Sequence, residues 1–320
     1  MTVRGMTHIS IQPQLLERWK TILPTDVLAA ALDATPNDAA ASIRLNPLRA
    51  PLAQTLAELQ SSGIEANPVA WCPHAFTTNM SARTLQAHPA HSEGGFHIQS
   101  LSSIAASLAL DPQPGESVLD LCAAPGSKTS HLAAMMNNRG QLIALDSSRS
   151  RLYRLREVLR ILGATAECIC AHGERWARGH PTMFDRVLVD APCSGEGRIH
   201  LGDSAANDGW TISKVRRLAS LQKSLLHSGI DALRIGGTLV YSTCTFAPEE
   251  NELVLQRALD RYEGRIEILP LQFDIPGSIP ALTTWSNRAL HPSIANARRI
   301  LPPLEGFFIA RIRKINAPTT

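Results

Sequence analysis

Two cysteines and an aspartate follow apolar runs at points where strands are expected to end. Asp190 closes the run VLVD, Cys193 comes next in VDAPCSG, and Cys244 follows a second run in LVYSTC. Each thiol has serine, threonine, proline or glycine beside it rather than apolar residues. A thiolate is a strong nucleophile and a carboxyl group can transfer a proton, so this set could perform nucleophilic catalysis. The alternative is that both thiols are buried and structural, as many free cysteines are.

One chemistry that uses such a set is methylation at carbon 5 of a pyrimidine. Carbon 5 is too weak a nucleophile to accept a methyl group directly, but addition of a thiolate at carbon 6 makes it enamine-like. An acid near ring nitrogen 3 stabilises the covalent adduct, and a base then removes the carbon-5 proton so that the thiol can leave. Asp190, Cys193 and Cys244 supply one acid and two thiols for these steps.

The loop DLCAAPGSKT (120–129) is a candidate cofactor site, because ligands of open α/β sheets bind beyond the carboxyl ends of the strands. Gly126 is its only glycine, which excludes a dinucleotide fingerprint, and Ser127 and Cys122 replace the glycines of a phosphate-binding P-loop. Asp146 ends the next apolar run, where a carboxylate can accept both hydroxyls of a ribose. Together they favour a nucleoside cofactor without a polyphosphate, such as S-adenosylmethionine. For Asp146, a helix N-cap is the alternative.

The segments that carry these residues alternate between strand and helix patterns. Predicted strands are SVLDLC, QLIALD, AECIC, DRVLVD, GGTLVYST and a final GFFIARIRK, with helices between most of them. One of these helices has Leu152, Leu155, Leu159 and Leu162 on a single stripe. The alternation predicts an α/β fold with a parallel, doubly wound sheet. Helices are also predicted at 14–32, 51–62 and 100–110, a strand and turn at 42–50, and a domain boundary near residue 90.

Composition describes an ordinary globular protein. The 320 residues permit one large or two modest domains, with 44% hydrophobic and 18% charged residues. Six cysteines without a C-x-x-C pair argue against a disulfide scaffold or a zinc site, so we expect no metal and a reducing, cytoplasmic location. The first residues lack an apolar signal region and no apolar run reaches membrane-spanning length, so no membrane association is expected. A net charge of +3 permits a polyanionic partner without requiring one.

Three long motifs occur in the order found in a known family: VLDLCAAPGSKTSHLA, VLVDAPCSGEG and YSTCTFAPEENE. With the flanking segments RLN, GGFHIQ and EGFF and with Trp210 and Gln222, they resemble the Sun/Fmu family of RNA (cytosine-5)-methyltransferases over about residues 40–313. The resemblance implies a Rossmann-like class I S-adenosylmethionine-dependent methyltransferase domain at 91–320. It also implies a smaller N-terminal α/β domain at 1–90 that binds RNA. The expected RNA partner is rRNA first and tRNA second.

The same resemblance implies roles for individual residues. By position in the motifs, Cys244 is the nucleophile and Cys193 assists breakdown of the covalent adduct. Enzymes that methylate cytosine in DNA use the Pro-Cys thiol as nucleophile instead, so the choice of Cys244 depends on the STC motif. Asp190 and Lys128 match the acid and the lysine near the target base and the methyl donor. The implied cofactor contacts are Cys122, Ala123, Ala124, Pro125, Gly126, Ser127, Lys128, Asp146, Gly173 and Asp190.

The chain departs from the family pattern near this predicted site. Ser127 replaces the second glycine of PGGKT, although serine still permits close approach to a ligand. His172 precedes Gly173 where the family carries an acid that can contact adenine, and an exposed histidine without a role is the alternative. Ser100 replaces the acid that usually follows GFHIQ. Some family members carry an extra C-terminal RNA-binding module, which we expect to be missing after Thr320.

Basic residues form three groups that could neutralise RNA phosphates. The groups are Arg149, Arg151, Arg154, Arg156 and Arg160; Arg216 and Arg217; and Arg298, Arg299, Arg311, Arg313 and Lys314. For the first group, a solvated helix face is the alternative interpretation. Aromatic residues make up 5% of the chain, so no extended stacking platform is predicted.

Two other functions compete with RNA cytosine-C5 methylation. A non-catalytic RNA-binding ribosome assembly factor could retain the fold, but the intact Lys128, Asp190, Cys193 and Cys244 argue against it. A methyltransferase acting on an exocyclic nitrogen typically carries an Asp/Asn-Pro-Pro-aromatic loop, whereas this chain has DAPC. A thiol has no role in that mechanism.

Overall fold

The computed structural model describes residues 11–33, 40–199 and 209–316. The first part of the chain forms a small antiparallel sheet and the rest forms a large mixed one. The first ten residues, in which no signal region is predicted, and the chain end at Thr320 lie outside the described residues. None of the helices in the described ranges combines the length and the hydropathy that a membrane crossing requires.

The first part of the chain is a four-stranded sheet with the strand order β2–β3–β1–β4, and α3 packs against it. Its elements are α1 (Pro13–Ile22), α2 (Thr25–Asp33), β1 (Ser42–Leu45), α3 (Leu52–Ser61), β2 (Ala66–Val69), β3 (Cys72–Thr78), α4 (Ala82–Gln86), α5 (Pro89–Ser92) and β4 (Phe96–Ile98). A smaller α/β unit was expected here and is confirmed. The boundary near residue 90 stays a prediction, and the sheet itself extends through β4 to Ile98.

The large sheet has the strand order β11–β14–β15–β9–β8–β5–β6–β7, and β10 also pairs with β15. The elements of this part of the chain are α6 (Leu101–Leu110), β5 (Ser117–Asp120), α7 (Ser127–Met135), β6 (Gln141–Asp146), α8 (Arg149–Leu162), β7 (Glu167–Cys170), β8 (Phe184–Asp190), α9 (Ile212–Ala232), β9 (Leu233–Thr243), α10 (Glu252–Arg261), β10 (Ile266–Leu269), β11 (Ile279–Pro280), β12 (Thr284–Trp285), β13 (Arg288–Ala289), β14 (Arg298–Ile300) and β15 (Phe307–Lys314). The strands β12 and β13 pair with each other in a separate two-stranded sheet. Short 3₁₀ helices lie at Gly173–Arg178, Glu196–Arg198 and Pro292–Asn296.

The five strands β7, β6, β5, β8 and β9 run parallel, as predicted. The chain order reverses beside β5, between β6 and β8, and ligands of such sheets bind at this switch point. The last strand, β15, instead runs antiparallel to β9, so the sheet is mixed and not wholly parallel. The chain enters β15 from a hairpin with β14 rather than from a crossover helix. An apolar strand pattern is the same in both directions and could not reveal this.

Local sequence signals determine the helix that follows β6. The hydroxyl oxygen of Ser148 accepts the N–H of Arg151 and begins α8, and Gly163 ends it with a φ of 64°. The predicted stripe is confirmed, since all four of its leucines are buried. This buried face packs the start of α8 beside the loop after β5.

Buried polar contacts join the small sheet to the large one. Arg44 is 1% exposed and donates to Gln99 Oε1 at 3.0 Å and to Ser130 Oγ on α7 at 2.9 Å. Asn46 Nδ2 donates to the carbonyl oxygen of Leu162 at the end of α8 at 2.8 Å. The RLN segment therefore anchors the small sheet to the two helices that follow β5 and β6.

Candidate active site

A cavity of about 630 Å³ opens at the carboxyl ends of β5, β8 and β9. It is enclosed by the loop after β5, by the loop 191–199 after β8, and by Cys244 after β9. The predicted site residues that line it are Cys122, Ala123, Ala124, Pro125, Ser127, Lys128, Asp190, Cys193 and Cys244. Asp146 and Gly173 line a smaller cavity, and Cys122 and Arg151 line both. The fold thus gathers predicted residues that are up to 122 positions apart in sequence, from Cys122 to Cys244.

The two thiols are direct neighbours. Cys193 Sγ and Cys244 Sγ are 3.1 Å apart, and the backbone N–H of Cys244 donates to Cys193 Sγ at 3.3 Å. A hydrogen bond from the Cys193 thiol lowers the pKa of Cys244, and the same contact raises the pKa of Cys193 well above the ordinary thiol value. Of the pair, Cys244 therefore carries the thiolate more readily, which suits a nucleophile.

The predicted acid and lysine also meet in this cavity. Lys128 Nζ lies 2.8 Å from Asp190 Oδ2, and Ser242 Oγ donates to Asp190 Oδ1 at 2.8 Å. The ammonium group of Lys128 also lies 5.4 Å from the ring centroid of Phe307. One cation and one hydroxyl therefore hold the two oxygens of Asp190 in place at the end of β8.

Arg198 lines the same cavity and was not predicted from the sequence. It follows Gly197, whose N–H donates to the carbonyl oxygen of Cys244 at 3.0 Å. The negative charge of the Cys244 thiolate raises the pKa of Arg198, and the guanidinium adds to the lowering of the Cys244 pKa that Cys193 produces. The sequence signal that could have identified Arg198 is its place in the same loop as Cys193.

Glu250 fixes the loop that carries Cys193, and it too was missed. Its buried carboxylate accepts the backbone N–H of Ser194 at 2.9 Å, the hydroxyl of the same serine, and Gln222 Nε2 at 2.9 Å. Burial raises the pKa of Glu250. Because Ser194 directly follows Cys193, this carboxylate holds the backbone beside the thiol.

Two further contacts attach that loop to its neighbours. Ser194 Oγ lies 2.8 Å from Thr245 Oγ1, next to Cys244. Gly197 packs against Gly306, where an added Cβ on Gly197 would lie 2.0 Å from the Gly306 carbonyl oxygen. This close backbone approach requires glycine, which gives a structural reason for the SGEG and EGFF segments.

Buried Asp120 shapes the loop after β5. Thr129 Oγ1 donates to Asp120 Oδ2 at 2.7 Å, and the N–H of Cys122 donates to Oδ1 at 3.4 Å. Burial raises the pKa of Asp120 to about 7. Gly126 begins α7 with a φ of 116°, and an added Cβ there would lie 3.0 Å from Leu155. Its positive φ and this contact explain why the loop keeps one glycine.

Asp146 lies at the end of β6 and is 3% exposed. Its Oδ1 accepts the N–H of Ser148 at 2.9 Å, and its Oδ2 lies 3.3 Å from Arg151 Nη1. The N-cap of α8 is Ser148, so the N-cap interpretation of Asp146 is wrong. Across the smaller cavity lies Gly173, where an added Cβ would meet the carbonyl oxygen of Leu121 at 2.7 Å.

The departures from the family pattern have structural accounts. Ser127 Oγ lies 2.9 Å from Nε2 of His97, whose pKa burial lowers to about 3, so a neutral ring joins β4 to the loop after β5. Ser100 caps α6 and donates to Glu305 Oε2 at 2.7 Å. The side chain of His172 is 67% exposed, which agrees with the surface interpretation.

The basic groups are only partly available to RNA. Arg299 is 2% exposed and forms two hydrogen bonds of 2.6 Å with Glu252. Lys314 Nζ donates to the carbonyl oxygens of Ile230 at 2.9 Å and Leu233 at 2.7 Å, near the end of α9. Both belong to a group that could neutralise phosphates by sequence, and their inward positions in the sheet make them structural instead. All members of the other two groups are exposed: Arg149, Arg151, Arg154, Arg156, Arg160, Arg216 and Arg217.

Two segments of the chain match models of known protein families. Residues 107–313 match the family described as 16S rRNA methyltransferase RsmB/F, and residues 13–83 match the RsmF/B-like ferredoxin-like domain. Ribosomal RNA small subunit methyltransferase F from Klebsiella pneumoniae (strain 342) is 39% identical over 283 residues. The protein of the same name from Escherichia coli O1:K1 / APEC is 37% identical over 282 residues. Each match covers 86% of this chain but 57% of the relative, so the chain spans little more than half of their length.

Solved structures share the fold. A methyltransferase homolog protein from Pyrococcus horikoshii aligns with a TM-score of 0.78 and 32% identity, over 95% of this chain and 100% of that chain. NSun6 from the same organism aligns with a TM-score of 0.81 over 97% of this chain and 100% of that chain, and at 20% identity it shows the fold alone. The predicted Rossmann-like class I methyltransferase fold is confirmed. Because one family model matches residues 107–313, more than half of the chain, the chain belongs to the RsmB/F family of 16S rRNA methyltransferases.

Proposed function

We propose that this chain is an S-adenosylmethionine-dependent RNA methyltransferase that modifies carbon 5 of a cytosine, with small-subunit rRNA as the substrate. The observation that carries the proposal is the pair of thiols, 3.1 Å apart in one cavity with Asp190 and Lys128. A nucleophilic thiol is needed to activate carbon 5 and has no role in methylation of an exocyclic nitrogen. The names of the curated relatives support rRNA, with tRNA as the second candidate.

Each residue has one role in the proposed reaction. The Cys244 thiolate adds to carbon 6 of the cytosine, and the electron pair of the carbon 5–carbon 6 double bond becomes available at carbon 5. Asp190, held by Lys128, stabilises the adduct at ring nitrogen 3. After methylation, Cys193 assists loss of the carbon-5 proton, the carbon 6–sulfur bond breaks, and the Cys244 thiolate is regenerated. A base inside an RNA helix would have to leave its stack to reach this cavity.

The residues around the loop after β5 fit S-adenosylmethionine, which supplies the methyl group when bound. Asp146 stands at the end of β6, where a carboxylate can accept ribose hydroxyls. Gly173 faces the same small cavity, and the two cavities share Cys122 and Arg151. Adjoining cavities suit a ligand with a nucleoside end and a charged amino-acid end. The cofactor contacts are therefore proposed as Asp146 and Gly173 together with residues 122–128 and Asp190.

The assembly-factor alternative predicts an RNA-binding protein without chemistry. It gives no reason for a Cys244 thiol whose pKa is lowered by Cys193 and by Arg198. A cytoplasmic location follows from a ribosomal substrate and stays a prediction. The test below also distinguishes naked rRNA from a ribosomal particle as the substrate.

The test is methyl transfer from labelled S-adenosylmethionine to small-subunit rRNA and to its particle, followed by bisulfite sequencing. We expect one modified cytidine, no transfer and no adduct with Cys244→Ala, and an accumulated covalent enzyme–RNA species with Cys193→Ala. Cys170→Ala is the matched control, because Cys170 is an exposed thiol outside the cavity. Full activity of Cys244→Ala would contradict the nucleophile assignment, and RNA binding without any transfer would favour the assembly factor.

A further inference from the structure

Helix α1 precedes the small sheet in sequence but packs on the loops that carry the thiols. Its Trp19 is 0% exposed and meets Phe246 edge to face, with ring centroids 5.5 Å apart. Phe246 lies two positions after Cys244. Ile199, at the end of the Cys193 loop, belongs to the same apolar cluster as Trp19. The apolar face of α1 therefore contacts both thiol-bearing loops.

Glu196 connects α1 to the Cys193 loop through polar contacts. Its carboxylate is 0% exposed and accepts Trp210 Nε1 at 2.8 Å and Trp19 Nε1 at 3.4 Å. Arg18 Nε lies 3.9 Å from Glu196 Oε1. Burial raises the pKa of Glu196 to about 7. The three partners therefore offset part of the cost of burying the negative charge of this carboxylate. Two of the three partners, Arg18 and Trp19, are supplied by α1.

Arg18 also connects α1 to the loop that follows Cys244. Its Nη2 atom forms an ion pair with Glu249 Oε2, and its side chain is 14% exposed. Glu249 immediately precedes Glu250, whose carboxylate holds Ser194 beside Cys193. One guanidinium thus lies between the carboxylates of the two loops, and partial burial strengthens both interactions.

We propose that α1 supports the catalytic site. Its Arg18 and Trp19 are positioning residues that hold the Cys193 loop against the Cys244 loop. This inference rests on the proposed thiol chemistry. Neither residue is among the described residues that line the two cavities. Their loss is therefore expected to slow adduct formation while cofactor binding is retained.

The experiment compares Arg18→Gln and Trp19→Phe with Lys20→Gln in the full chain. Lys20 is the matched control, because it lies on the same helix, is half exposed, and pairs with Glu17 at 2.6 Å. Four quantities are measured: the single-turnover rate of methyl transfer, the pH dependence of Cys244 alkylation by an uncharged thiol reagent, the S-adenosylmethionine Kd, and the Tm. Alkylation reports on the thiol whether or not RNA reacts.

We expect both test variants to lose about tenfold or more in single-turnover rate, equivalent to the removal of about one hydrogen bond to a charged group. The alkylation midpoint of Cys244 should move to higher pH, the cofactor Kd should stay unchanged, and Arg18→Lys should recover part of the rate. Wild-type rates and alkylation profiles in both variants, or a rate loss explained by a lowered Tm alone, would overturn the role of α1. If the wild-type protein transferred no methyl group to the RNA, the proposed function would be refuted. The alkylation profiles of Cys244 would still decide the role of α1.

Discussion

Replacement of Glu250 by glutamine tests whether the rate of thiol chemistry depends on how the Cys193 loop is held. The carboxylate accepts three hydrogen bonds, two from Ser194 and one from Gln222. A glutamine amide presents one NH₂ group in place of an accepting oxygen, so at least one of these bonds is lost. A hydrogen bond to a charged group contributes about 1.5–3 kcal/mol. If that contribution is lost where Cys193 and Cys244 react, the rate falls about 10- to 160-fold.

The assay is a single-turnover measurement of methyl transfer at saturating RNA and S-adenosylmethionine, with the cofactor Kd measured by calorimetry. Glu250→Gln should lower the rate of adduct formation and leave the Kd unchanged, since Glu250 is not among the described residues lining the cavities. Glu263→Gln, an exposed carboxylate after α10, is the control and should behave as the wild type. A wild-type rate for Glu250→Gln would refute the reasoning, and so would a loss that appears only in the cofactor Kd.

Two further predictions concern the charges around the cavity. Arg198→Met removes a cation that lowers the pKa of Cys244, so the thiolate forms at higher pH and the acid limb of the rate–pH profile should move to higher pH. The control Arg216→Met, on the exposed face of α9, should leave the acid limb where it is in the wild type. An unmoved limb in Arg198→Met would exclude an effect of Arg198 on the Cys244 thiolate. Asp146→Ala removes the carboxylate at the end of β6, so the S-adenosylmethionine Kd should rise severalfold while the rate at saturating cofactor changes little. An unchanged Kd in calorimetry would remove Asp146 from the cofactor site.

Much of the large-sheet part of the chain could be predicted from local pattern. The strands β5–β9 and the leucine stripe of α8 follow from periodicity, which is a property of neighbouring residues. The direction of β15 could not be predicted, because a strand has the same alternation whichever way it runs. The sequence shows that Arg299 and Lys314 are basic. It could not show that they are buried, because their partners come from distant segments of the chain.

The site shows the same division between local and long-range information. The residues alone indicated Cys193, Cys244 and Asp190, because each lies at or just after the end of a predicted strand and parallel strands end at one edge of a sheet. Lys128 was added by the resemblance to the family. The sequence could not indicate how Glu250 or α1 support them.

The types of the candidate reacting groups, their order along the chain and their placement near the ends of strands were determined by the sequence itself. The tertiary structure decided which thiol has the lower pKa, because that depends on Cys193 and Arg198 reaching Cys244 across loop contacts. It also placed Arg18 and Trp19 against loops more than 170 positions away. Hydrogen bonds and charge interactions act over a few ångströms in space, and separation along the chain does not reveal which side chains come that close.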